Sequence, residues 1–252
     1  MNTLGLIGFG QFGQLAARVL KSHFDVLVTD TAPGAEATAR ELGVAFGSLE
    51  AAAARAVVIV AVPVVAMRAM FAAIAPHVRP GALVIDVGSV KVLPTQWMTE
   101  LLPAHVDLVA THPLFGPQSA KRGLKGLRFV VCPVRGDRHD CVAEFGRSLE
   151  LKVTVTTPEE HDREMAYVQA LTHLIGRSLV NIGIPDEQLK TPSYQHLLEL
   201  CGLIGADTFE LFTAIQTQNP YAAEVVSAFV DEAQGLLEKV RQTRAPEVLS
   251  SS

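Results

Sequence analysis

Leu4-Gly5-Leu6-Ile7-Gly8-Phe9-Gly10-Gln11-Phe12-Gly13 is the stretch on which the fold turns. It reads as a short apolar strand that enters a glycine-rich turn and opens a helix, since Phe12, Leu15, Ala16 and Val19 recur at helical spacing. Gly8 permits the tight reversal, Gly10 lets the backbone approach a pyrophosphate, and Gly13 lets helix and strand pack closely. The free N–H groups and partial positive charge of the helix start suit phosphate. Asp30 ends the next apolar run, Asp25-Val26-Leu27-Val28-Thr29-Asp30, about 20 residues on, where a carboxylate accepts hydrogen bonds from ribose hydroxyls. The same carboxylate repels a 2′-phosphate, and no arginine follows in Thr31-Ala32-Pro33-Gly34, so the expected cofactor is NAD rather than NADP. Gln11 and Phe12 in the turn, Val62 and Pro63 after a later apolar strand, and Gly88 complete the candidate cofactor-binding set.

The chain on either side of this turn repeats the alternation. A helix over Ala35–Leu42 stops at Gly43. Residues 56–62 form an apolar, β-branched run suited to a central parallel strand, Pro63 ends it, and a helix follows over 64–74. Further strands are expected over 82–87, 106–110, 127–132 and 151–155. Strands alternating with helices predict an α/β, Rossmann-type doubly wound sheet. The alternation stops near Thr156. Beyond it the periodicity is helical, from a helix start at Thr157-Pro158-Glu159-Glu160 to a last helix that lines up Val226, Phe229, Val230, Ala233, Leu237 and Val240 on one face. The expected division is a dinucleotide-binding domain over 1–156 and an all-helical substrate and dimerisation domain over 157–252, with a frayed serine-rich tail.

Composition limits the function classes. A formal charge of −5 without a Lys/Arg cluster argues against nucleic acid. Pro, Gly or charge breaks the apolar runs well short of a membrane span. Cys132, Cys141 and Cys201 are odd in number and lack metal-ligand spacing, and the first strand starts close to Met1; a reduced, cytoplasmic, metal-free protein is expected. His161, between Glu160 and Asp162, reads as part of the charged first turn of a helix rather than as a metal ligand.

Three polar clusters follow apolar runs: Asp86-Val87-Gly88-Ser89-Val90-Lys91, Thr111-His112-Pro113-Leu114-Phe115-Gly116-Pro117 and, on a helix of the second domain, Gln169-Ala170-Leu171-Thr172-His173. The first two stand where open α/β sheets bind ligands, beyond strand C-termini. With the glycine-rich start, and in this order, the three resemble the prephenate/arogenate dehydrogenase family. The stretch from His112 to Lys121, Glu160-His161-Asp162, Thr191-Pro192-Ser193-Tyr194 and Asp207-Thr208-Phe209-Glu210-Leu211-Phe212 are similar to its plant arogenate dehydrogenase branch.

The resemblance implies oxidative decarboxylation of a cyclohexadienol. A hydride leaves the hydroxyl-bearing ring carbon for the nicotinamide, the opposite carbon loses carbon dioxide, and the ring becomes aromatic. The hydroxyl needs a proton acceptor, and neutral imidazole suits that task near neutral pH. His112 matches the family's catalytic histidine, and Ser89 matches the serine near it and the substrate hydroxyl. Thr172 and His173 match a pocket pair, with Gln169 one helical turn earlier.

For the substrate, residues 200–206 lack the arginine that prephenate-selective members carry, and Asp207 sits where plant arogenate enzymes have an aspartate near the substrate amine. Arogenate is therefore expected, with prephenate as the alternative. Lys121, Arg122 and Lys91 are the candidate cations for the ring carboxylate. Two other readings are weighed. A β-hydroxyacid dehydrogenase calls for a lysine in the helical part, where Lys190 alone lies between Gln169 and Leu236. A non-catalytic NAD-binding sensor predicts cofactor binding without turnover. The apolar helical faces predict a homodimer through the C-terminal helices.

Overall fold

The computed structural model describes residues 2–243, so the expected serine-rich tail lies outside the described residues. The chain divides after Asp162 into two compact units.

The first unit is built on strands β1 (Thr3–Ile7), β2 (Asp25–Thr29), β3 (Ala45–Phe46), β4 (Val57–Val60), β5 (Leu83–Asp86), β6 (Asp107–Pro113), β7 (Arg128–Arg135) and β8 (Lys152–Val155). They form one sheet in the order β3-β2-β1-β4-β5-β6-β7-β8. Helices α1 (Gln11–Leu20), α2 (Ala35–Leu42), α3 (Leu49–Ala53), α4 (Val64–Ile74), α5 (Val92–Leu101) and α6 (His139–Ser148) join the strands, and α7 (Pro158–Met165) begins at its end. The order reverses between β1 and β4, the doubly wound switch point where ligands bind.

Period-two alternation explains the strands' near-continuous apolarity. Leu4, Leu6, Val26, Val28, Val57, Ile59, Leu83 and Ile85 join one buried cluster with Ala17, Leu20, Ala39 and Val142. Val58, Val60 and Val84, the residues between, are also buried, as are Met67, Phe71 and Ile74 of α4 and Met98 of α5. Both faces are therefore covered, as parallel sheets require.

One expectation is corrected, and four elements are added. Strand β6 continues past residue 110 to Pro113, so His112 lies on a strand paired with Val130 and not in a loop. The cause is β7, which runs antiparallel to β6 because residues 114–127 supply only a short 3-10 turn and no crossover helix. Leu114 N–H donates to Arg128 O, so the alternation turns the Pro113 nitrogen to the side where β5 has already ended. Helix α5, unforeseen in the sequence, carries Pro94 in its first turn, where a missing N–H costs nothing. Helices α3 and α6 and the two-residue β3 are likewise additions to the expected set.

The second unit is helical throughout its described residues, as expected. A π-helical stretch over Ala166–Leu171 precedes α8 (Thr172–Ile182), α9 (Pro192–Ile204), α10 (Phe209–Gln218) and α11 (Ala222–Thr243). Its small core joins Ala170, Ile215 and Ala222. On α11, Phe229, Val230, Leu237 and Val240 remain exposed. Among the described residues no helix is long and apolar enough to cross a membrane.

Candidate active site

At the switch point the glycine turn has the shape its sequence demands. Gly8 sits at φ +99°, and a Cβ there would lie 2.5 Å from Ala61 O. A Cβ on Gly13 would lie 2.2 Å from Gly8 O, whereas Gly10 has nothing within 4 Å of its Cβ position. Helix α1 starts at Gln11 and Phe12 with no side-chain cap and no acid in its first turn, which leaves its positive end open to an anion. Ala61 N–H donates to Ile7 O at 2.7 Å, which brings Val62 and Pro63 beside the turn. Asp30 accepts from Phe9 N–H at 2.5 Å and from Ala32 N–H at 2.7 Å. Its carboxylate thus braces the turn as well as marking the end of β2. These features fit a dinucleotide: an open glycine cradle, an uncapped helix end and a carboxylate one strand away. Gly13→Ala is expected to displace α1 from Gly8, lower stability by about 1–3 kcal/mol and weaken nucleotide binding; thermal melts with and without NAD measure both.

The ends of β5 and β6 form a second, buried group. Lys91 Nζ lies 2.5 Å from Asp86 Oδ2 and donates to Thr111 O at 2.6 Å, with both charged side chains fully buried. Gly88 N–H donates to Asp86 Oδ2 at 2.8 Å, and Thr111 Oγ1 donates to Asp86 O at 2.7 Å. Burial pushes the Asp86 carboxyl up from the usual carboxylate range, and Lys91 pulls the other way. Lys91 is therefore committed to Asp86, and its expected availability for a substrate carboxylate is corrected.

His112 is buried beside this group. Its Nδ1 lies 2.8 Å from His161 Nε2, and His161 Nδ1 lies 2.7 Å from Asp162 Oδ1. Asp162 also accepts from Lys91 N–H at 2.8 Å and Val92 N–H at 2.9 Å, so it caps α5 from 71 residues away. Nδ1 makes the one hydrogen bond of the His112 ring among the described residues, and Nε2 makes none. Burial holds His112 well below the usual imidazole range, so the ring is neutral at pH 7. Ser89 is buried with its Oγ lacking a partner in the structure, and it makes no bond to His112. The sequence reading of His161 as a charged helix start is corrected: it is only 3% exposed and Asp162 is 0% exposed. Both lie on a face with the buried Met165 and Ala166, a helical spacing visible in the sequence. Among the described residues no group of three or more His, Cys, Asp or Glu could hold a metal ion.

In the second unit, Gln169 lies in the π-helical stretch with its Oε1 buried and unpartnered. Such stretches are frequent at functional sites. Thr172 and His173 open α8, and His173 Nδ1 lies 3.8 Å from Asp207 Oδ2. Burial lowers the His173 pKa against the opposing pull of Asp207. Thr208, not Asp207, caps α10, accepting from Leu211 N–H at 3.1 Å. Arg177, one turn after His173, donates to Asp207 O at 2.6 Å and keeps a buried, unpartnered Nε. Lys121 and Arg122 are exposed on the 3-10 turn of the first unit.

Two family models match the chain: "Prephenate dehydrogenase, nucleotide-binding domain" over residues 15–155 and "Prephenate dehydrogenase, dimerization domain" over 157–251. The probable arogenate/prephenate dehydrogenase of Methanocaldococcus jannaschii is 33% identical, over 95% of this chain and 57% of the relative. Arogenate dehydrogenase 2 of Arabidopsis thaliana is 31% identical, over 88% of this chain and 65% of the relative. The chain thus spans between half and two thirds of the length of these relatives. Among solved structures, prephenate dehydrogenase from A. aeolicus, in complex with hydroxyphenyl propionate and NAD+, shares the fold with a TM-score of 0.77 at 19% identity. That match covers 96% of this chain and 92% of the other.

Proposed function

The chain belongs to the prephenate dehydrogenase family, and from that premise we propose that it catalyses the NAD-dependent oxidative decarboxylation of arogenate to tyrosine. The observation that carries the reaction is His112, buried, neutral and with Nε2 unpartnered. The glycine turn, Asp30, Val62, Pro63 and Gly88 are assigned to the dinucleotide. Held by these residues, NAD would supply the hydride acceptor for the hydroxyl-bearing ring carbon. His112 Nε2 takes the hydroxyl proton as that carbon becomes carbonyl-like. Ser89 Oγ, lacking a protein partner, is assigned to the same hydroxyl. The electron pair of the breaking bond to carbon dioxide then completes the aromatic ring. The oxygen becomes basic again, and His112 returns the proton to it.

Recognition of the side chain is assigned to the second unit. Asp207 is spared from capping α10, so its carboxylate is available for the ammonium of arogenate. Arg177 answers the shortage of cations left by Lys91: with its Nε unpartnered, it is assigned to a substrate carboxylate. Thr172, His173 and Gln169 are assigned to the same pocket, and Lys121 remains an exposed candidate for the ring carboxylate. The second reading is prephenate oxidation to 4-hydroxyphenylpyruvate, which Arg177 permits because its cation suits a carboxylate on either substrate. Steady-state assays of both substrates with NAD and NADP test the proposal, and absence of turnover on both substrates would overturn it. Asp207→Asn is expected to lower kcat/KM for arogenate roughly 10- to 100-fold, the worth of a hydrogen bond to a charged group, with little change for prephenate. Equal losses on both substrates refute the role given to Asp207.

The chain is further read as a homodimer through its second unit. The exposed Phe229, Leu237 and Val240 of α11 support this, together with a family model described as a dimerization domain. Sedimentation of the full chain measures it.

A further inference from the structure

A histidine that accepts a proton through Nε2 must carry its own proton on Nδ1, and neutral imidazole can hold it on either nitrogen. The chain of contacts behind His112 removes that freedom. A carboxylate oxygen only accepts, so the 2.7 Å contact with Asp162 Oδ1 puts a proton on His161 Nδ1. In neutral His161 the other nitrogen, Nε2, is then bare. Its neighbour at 2.8 Å, His112 Nδ1, must be the donor. We infer that His161 and Asp162 are positioning residues that lock His112 in its Nδ1–H form and keep Nε2 open as the proton acceptor, an inference that rests on the reading of His112 as the base.

The lock is rigid at its far end. The N–H groups of Lys91 and Val92 hold both oxygens of Asp162, so the carboxylate cannot swing away from His161. The three side chains are buried together, where a lost donor has no water to replace it. The remaining ionisable groups nearby do not compete for the ring. Lys91 is held by Asp86, and burial pushes the Cys132 thiol of β7 up to about 12, so it stays uncharged. After proton capture His112 keeps its Nδ1–H on His161, and the Asp162 carboxylate balances the new charge through the intervening ring. A proton placed first on His161 would reverse the chain: its Nε2–H would donate to His112, whose own proton would move to Nε2 and block the base.

The test has two arms. In the first, the full-length chain with 15N-labelled histidine is examined by two-bond proton–nitrogen NMR without substrate, with an H112N sample to assign the ring. His112 is expected to carry its proton on Nδ1. A proton on Nε2 at neutral pH overturns the inference, and this readout is independent of which substrate the enzyme takes. In the second arm, His161→Leu is expected to lower kcat roughly 10- to 100-fold, a part of what general-base catalysis supplies, with KM nearly unchanged. His161→Gln places an amide oxygen near the former Nε2 and is expected to restore most of the loss. It should also move the acid limb of the pH profile, because an amide replaces the ring beside His112 Nδ1. A kcat and pH profile of wild-type form in His161→Leu, or a His161→Gln no better than His161→Leu, counts against the lock. Should His161→Leu fail to fold, the wild-type spectrum and the Gln variant still decide. A chain that turns over no cyclohexadienyl substrate refutes the proposed function and leaves the tautomer result standing.

Discussion

Replacing His112 with Asn is expected to lower kcat roughly 10²- to 10⁴-fold while leaving NAD affinity nearly intact. The reason for so selective a loss lies in the placement of the side chain. The backbone of His112 is fixed by its pairing with Val130, and an Asn amide there can still donate toward His161 Nε2, so β6 keeps its course. What disappears is the lone pair of Nε2. The glycine turn belongs to β1 and α1 and is untouched. Stopped-flow turnover and fluorescence titration with NAD separate the two quantities, and near-normal turnover in this variant refutes the role of the residue. The pH dependence follows from the same burial. Because His112 is held below the ordinary imidazole value of about 6.5, the acid limb of kcat/KM is expected below that value. Acid also costs stability. The unfolded chain takes up the proton near 6.5 while the folded chain resists it. Stability present above that pH is therefore lost as the pH falls toward the lowered value. Melting temperature against pH is expected to show this slope in the wild type and less of it in H112N.

The parts of this architecture that the sequence displays are those set by local periodicity. The run from Leu4 to Gly13 alternates, turns and spirals within ten residues, so strand, glycine turn and helix are all visible without knowing what they pack against. The same holds for the helix over Ala35–Leu42 with Gly43 at its end, which the structure caps in the left-handed conformation at φ 68°. Helix α5 escapes because its evidence is remote. Pro94 obscures the pattern, and the acceptor for its first N–H groups is Asp162, on another element. Strand β6 reads too short because Pro113 looks like a stop, and only the antiparallel partner β7 makes proline harmless there.

The site divides along the same line. His112, Ser89 and Asp30 stand out in the sequence because each ends or follows an apolar run, and an open sheet binds its ligands at such ends. His161 and Asp162 are hidden by company: flanked by Glu160 and Arg163, they look solvated, although their i,i+4 spacing to the apolar Met165 and Ala166 marks the face they share. Arg177 is hidden by distance. A search for a cation beside Asp207 in chain order misses a residue 30 positions earlier that folds back onto its carbonyl. Lys91 errs in the other direction: in sequence it looks like a free cation for substrate, and its partner, only five residues before it, is visible only once β5 ends in the sheet.

That buried pair gives the second large effect. Lys91→Met is expected to cost about 3–5 kcal/mol of stability, because it removes one partner of a desolvated ion pair and leaves the other charge in place. Met fills a similar volume, so lost packing is the smaller part. The deficit comes from Asp86, whose Oδ1 already has no partner and whose Oδ2 would keep only Gly88 N–H, and from the Thr111 carbonyl, which loses its donor. Burial raises the Asp86 pKa even with Lys91 present, and without Lys91 it rises further. A carboxyl raised in the folded state contributes least once it ionises. The stability gap between variant and wild type should therefore narrow as the pH falls and Asp86 takes up a proton, and widen toward neutral pH. Urea unfolding at several pH values measures this. A pH-independent loss below about 1 kcal/mol would mean that Asp86 is not charged when paired. Adding Asp86→Asn should recover most of the stability, since the amide oxygen still accepts from Gly88 and no charge is left unpaired. Catalysis should respond differently. Lys91 helps to hold down the pKa of His112, so its loss moves the acid limb upward, with or without Asp86. A double variant with restored stability and an acid limb still raised would show that Lys91 serves the base through its charge as well as the fold through its pairing.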